Sequence, residues 1–76
     1  MKADRQLEVR AFWDGEAGVW VAESDHIPGL VAEAETIEQL ALKLENVIPE
    51  LLELNAPELV GVHTISLKAE RTLHAA

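Results

Sequence analysis

Seventy-six residues hold one domain, and a chain this short buries only about 60% of the surface that it exposes when unfolded. There is no cysteine, which excludes disulfides and thiolate metal sites together and makes self-association, as dimer or tetramer, the expected source of added stability. The net charge of −8 is unevenly spread: Lys2, Arg5, Arg10, Lys68 and Arg71 lie towards the two ends, and between Ala11 and Leu67 eleven carboxylates face Lys43 alone.

From Leu7 to Trp13 apolar and polar residues alternate, with Leu7, Val9, Ala11 and Trp13 on one side and Glu8, Arg10 and Phe12 on the other. That period belongs to a strand with one buried face. Asp14-Gly15-Glu16-Ala17-Gly18 supplies a turn, and Val19 to Ser24 is β-branched and aromatic enough to return as a second strand. Placing Trp13 opposite Val19 across a five-residue loop gives one consistent core side and leaves Phe12, Trp20 and Ala22 together on the opposite face.

Ile27-Pro28-Gly29-Leu30 has the proline and glycine that a type II turn requires at its two central positions. Leu30 to Glu35 alternates again as a third strand. Thr36 then opens a helix as its N-cap, with Gln39 three residues later completing a capping-box pattern. Ile37, Leu40, Ala41, Leu44, Val47, Ile48, Leu51 and Leu52 keep helical spacing on both sides of Pro49, so the pattern predicts one proline-kinked helix ending near Asn55 and Pro57. A last strand is expected from about Val60 to Lys68, with Arg71 as its outer limit, placing His63, Ile65, Leu67 and Ala69 on one face and Val62, Thr64, Ser66 and Lys68 on the other. The order is β-β-β-α-β: an α+β domain with an antiparallel-rich sheet and one helix on one face, spanning residues 1–76 as a single unit.

An acidic surface repels phosphate backbones, so direct nucleic-acid binding is not expected, and it attracts basic proteins. The plain alternative is that the charge serves solubility. The stretch from Met1 to Gln6 lacks the apolar core of a signal peptide, and no run reaches the ~18 apolar residues of a membrane span. A cytoplasmic protein with no membrane partner is the expectation.

Phe12-Trp13-Asp14, Gly18-Val19-Trp20-Val21-Ala22, the segment from Ser24 through Pro28-Gly29 to Thr36, and Val47-Ile48-Pro49-Glu50-Leu51-Leu52 resemble a family of small bacterial proteins of unknown function in the HicB-like antitoxin superfamily. The resemblance implies a truncated ribonuclease-H-like fold. It also implies kinship to antitoxins that mask a small, basic, RNA-cleaving toxin. Fuller members of that superfamily carry an added DNA-binding segment, and none is expected within residues 1–76. His26 stands where many antitoxin relatives place an aspartate.

Catalysis has little to build on. A ribonuclease-H-type site needs carboxylates converging on two metal ions, one of them from the middle of the first strand. That strand offers only Glu8, beside Arg10, and although Asp14, Glu23 and Asp25 are placed to gather near one sheet end, their spacing fixes no metal. His26 and His63 are a conceivable ligand pair, with ordinary surface positions as the plainer reading. No catalytic residue, metal site or cofactor is therefore assigned, and an enzyme is not expected. The expected contact residues are Phe12 and Trp20 for self-association, and Asp14, Glu16, Glu23 and Asp25 as an acidic surface for a basic, toxin-like partner. The alternatives are a divalent-metal or small-ligand binding domain and a purely structural, self-assembling module.

Overall fold

The computed structural model describes residues 5–61 and 63–75. Strands β1 (Arg5–Asp14), β2 (Val19–Glu23) and β3 (Ala32–Ala34) are followed by helix α1 (Ile37–Asn55), a single 3-10 turn (Pro57–Leu59) and strand β4 (His63–Glu70). The four strands form one sheet in the order β3-β2-β1-β4. The expected β-β-β-α-β order is present, and Val62, expected in the last strand, lies outside the described residues.

The sheet is mixed. β2 is antiparallel to both β1 and β3, whereas β4 is parallel to β1. Direction follows from the chain reversing at every connection: β3 runs the same way as β1, α1 returns, and β4 sets out again along β1. A parallel neighbour needs such a crossover, and α1 provides it by carrying the chain from one edge of the sheet to the other.

The first hairpin corrects the expected register. Asp14 pairs with Val19, Trp13 with Trp20 and Ala11 with Ala22, so the loop has four residues, not five. The cause is local. The Asp14 carboxylate accepts the backbone N–H groups of Glu16 (3.1 Å) and Ala17 (3.2 Å), and the Gly18 N–H donates to the Asp14 carbonyl at 2.8 Å. Gly18 closes the loop at φ +71°, a conformation that glycine adopts without a Cβ clash. Trp20 and Ala22 consequently face the helix with Trp13 and Ala11, and the expected grouping of Phe12 with Trp20 does not occur.

Leu7, Val9 and Ala11 of β1 form the floor of the core, and Leu40, Leu44, Ile48 and Leu52 descend on it from α1 at four-residue spacing. Ile27 and Leu30, at either end of the Pro28-Gly29 turn, are buried between them. Each large side chain removed from water in this way contributes about 1.5–3 kcal/mol. The turn has the expected form, with the Leu30 N–H donating to the Ile27 carbonyl at 3.3 Å and Gly29 at φ +80°. Its far end is tied to the helix terminus by the Asn55 side-chain amide, which donates to the Pro28 carbonyl at 3.2 Å.

β3 is shorter than the Leu30–Glu35 expectation because Leu30 still belongs to the turn. It is held to α1 by Lys43, whose ammonium donates to the Glu33 carbonyl at 2.6 Å. Thr36 caps α1 as expected, its hydroxyl accepting the Gln39 N–H at 3.0 Å. The helix continues through Pro49 as one element.

Candidate interaction surface

One face of the sheet is packed under α1, and period-two alternation delivers the other set of side chains to the opposite face. That open face carries Glu8, Arg10 and Phe12 from β1, Val21 and Glu23 from β2, Glu33 from β3, and Ser66, Lys68 and Glu70 from β4. Phe12 is 38% exposed and is flanked by Val21 on β2 and Glu70 on β4. An aromatic side chain left half uncovered at the middle of a sheet face is a ready contact point.

Around it the charges pair within the chain. The Arg10 guanidinium is 3.3 Å from the Asp25 carboxylate and 3.8 Å from that of Glu23, and the Lys68 ammonium is 3.6 Å from Glu8. These groups are well exposed, so each pair contributes at most about 1 kcal/mol.

The four acidic residues singled out from the sequence form two separate pairs. Asp14 and Glu16 stand at the hairpin loop, while Glu23 and Asp25 stand by Arg10, four residues back along β1. At the usual rise per residue that is roughly 13 Å. The expected gathering of Asp14, Glu23 and Asp25 at one sheet end therefore does not occur: antiparallel pairing carries Glu23 and Asp25 away from the loop that Asp14 closes. Glu16 is exposed at the loop tip.

Where β2 ends after Glu23, side chains continue its pairing with β1. The Glu8 N–H donates to Nδ1 of His26 at 2.9 Å, and the Ser24 hydroxyl donates to the Glu8 carbonyl. The His26 N–H in turn donates to Ser24 Oγ at 3.1 Å. Accepting at Nδ1 places the ring proton on Nε2. Sequence reasoning missed this role, for which a serine and a histidine just past a strand end were the available signal. The His63 side chain, the other half of the conceivable ligand pair, lies outside the described residues. Among the described residues, no three His, Asp or Glu side chains gather as a metal site would require.

On the helix side of the sheet, Trp13 and Trp20 meet edge to face with ring centroids 5.5 Å apart and planes at 62°. The Arg71 guanidinium lies 4.5 Å above the Trp13 ring. Both contacts also escaped the sequence reading, the first because of the register error. Further along the same side a largely apolar groove of about 330 Å³ opens between α1 and β4, lined by Ile48, Pro49, Leu52, Val60, Gly61 and Ile65, with Glu53 as its one charged residue. Among the described residues, no helix is long and apolar enough to cross a membrane.

A solved structure of this architecture is the crystal structure of a hypothetical protein from the extremely thermophilic bacterium Thermus thermophilus. It shares 50% sequence identity over 95% of this chain and 99% of that one, with a TM-score of 0.73. No curated protein matches. The model of a domain family of unknown function, DUF1902, matches residues 6–75, and the chain belongs to that family.

Proposed function

We propose that the domain is a non-catalytic interaction module that self-associates and masks a small basic protein, as HicB-type antitoxins mask their toxins. The observation that carries this reading is the open sheet face, where Phe12 stands half exposed among ionised side chains with no helix over it. The charge distribution supports it. Lys43 is the lone base against eleven carboxylates between Ala11 and Leu67, so the local potential there is negative. Two finer features belong to the same reading: a truncated ribonuclease-H-like sheet, supported by three antiparallel strands and a parallel fourth, and a helix kinked at Pro49, where the ring removes one backbone donor. The setting is the cytoplasm.

The test is a pull-down of the tagged chain from its native lysate at low and at physiological salt, repeated with Phe12→Glu. Enrichment of one small, strongly basic protein at both salts, lost with Phe12→Glu, is the expected result. Recovery of the bait alone at both salts overturns the masking role.

A further inference from the structure

The two edges of the sheet are unlike. β3 is three residues long and tied down by Lys43, whereas β4 is eight residues long, free of proline, and pairs with β1 on one side only. Natural edge strands are often short or bulged; this one is neither, and its two charges, Lys68 and Glu70, both stand on the open face of the sheet. Beyond Glu70, Arg71 still reaches Trp13 of β1, and residues 71–75 belong to no strand and are all exposed, Leu73 to 78%. Around it the acidic excess of the chain is absent, Lys68 and Arg71 more than balancing Glu70.

We propose that the outer edge of β4 pairs antiparallel with β4 of a second copy about a two-fold axis at Ala69. This deepens the self-association part of the proposed function and rests on it. A two-fold axis normal to the sheet keeps both helices on one side and sets each residue opposite one of matching face. With the axis at Ala69, two small side chains meet at the centre, and Lys68 of each copy falls opposite Glu70 of the other. Those are two cross-strand pairs of opposite charge on the open face. Moving the axis to Lys68 would bring two ammonium groups together, and moving it to Leu67 would leave Lys68 beside Ser66.

With that register, residues 70–75 of each copy lie beside residues 63–68 of the other copy's β4. Leu73, on the helix side by alternation, arrives opposite Ile65, which is 37% exposed at the rim of the apolar groove formed with Ile48, Pro49, Leu52 and Val60. An exposed leucine on each copy meets an open apolar groove on the other, so the second copy is the occupant that fits.

Sedimentation equilibrium of the full chain tests this, with circular dichroism confirming that each variant is folded. The wild type is expected to be a dimer. Lys68→Glu and Glu70→Lys each place like charges opposite one another and should weaken the dimer by about tenfold or more, two like-charge contacts acting together. The double variant Lys68→Glu/Glu70→Lys should dimerise again, and the two single variants should form a mixed dimer when combined. Leu73→Asp should weaken association without altering the monomer fold. An oligomer indifferent to all these changes overturns the β4 pairing while leaving self-association through another face. A wild type that is monomeric up to its solubility limit overturns both.

Discussion

The backbone N–H of Glu8 in the middle of β1 is satisfied by an imidazole, Nδ1 of His26 at 2.9 Å, from eighteen residues further along the chain. Together with the Ser24 hydroxyl on the Glu8 carbonyl, it extends the ladder past the point where β2 leaves. Loss of the acceptor in His26→Ala is expected to lower stability by about 1 kcal/mol, since water reaches this exposed site and replaces part of the bond. In a domain this small that is a fall in Tm of roughly 4–8 °C. The oxygen of His26→Asn can occupy the place of Nδ1 and should recover most of the loss. Thermal melts of the two variants decide it, and an asparagine no better than alanine would show that ring packing, not acceptance, is what matters.

Gly29 answers two demands at once. Its φ of +80° disfavours any side chain, and a Cβ there would come within 3.0 Å of the Asn55 amide that holds the Pro28 carbonyl. Gly29→Ala is expected to cost about 2 kcal/mol, from left-handed strain and the displaced hydrogen bond together. The two contributions separate in a double-mutant cycle: in an Asn55→Ala background the same change should cost less, because the bond and the clash are already gone. Equal costs in the two backgrounds would assign the whole effect to backbone strain.

Local chemistry was legible in the sequence and pairing between distant segments was not. Thr36 with Gln39, the Pro28-Gly29 turn, and the alternation of Leu7, Val9 and Ala11 each depend on residues within a few positions, and each stands as read. The misplacement of Trp20 followed from a loop length, and the loop length depends on which backbone groups the Asp14 carboxylate takes up. A five-residue loop gives one consistent core side in the sequence, whereas the four-residue loop mixes the faces, and Asp-Gly at the hairpin start does not by itself decide between them. The contact of Glu8 with His26 and that of Trp13 with Arg71 join positions far apart in the chain, where no periodicity speaks.

Pro49 sits inside a nineteen-residue helix, exposed on its solvent side and bordering the apolar groove. Its ring leaves the Glu45 carbonyl without the usual helical donor. Pro49→Ala restores that donor and a better helix former, gaining up to about 3 kcal/mol, but it also frees the unfolded chain by roughly 0.4–1 kcal/mol. A net gain of about 1–2 kcal/mol in urea unfolding is expected. A loss instead would mean that the helix is already bent to accommodate the ring and that the core is packed to the bend.

Phe12 and Trp20, once expected to share a role, should now respond in opposite ways to the same change. Trp20 packs against the core and against Trp13, so Trp20→Ser removes buried aromatic surface and an edge-to-face contact. A loss of about 3 kcal/mol is expected, enough to threaten a domain of this size. Phe12 lies on the open face with 38% of its surface in water, and Phe12→Ser should cost the isolated chain about 1 kcal/mol or less. Partner capture should show the reverse order: Phe12→Ser abolishes it in a fully folded protein, while any loss with Trp20→Ser should track the fraction unfolded. Urea melts run beside the pull-down separate the two. A Phe12 variant that keeps both its stability and its partner would remove this residue from the interface.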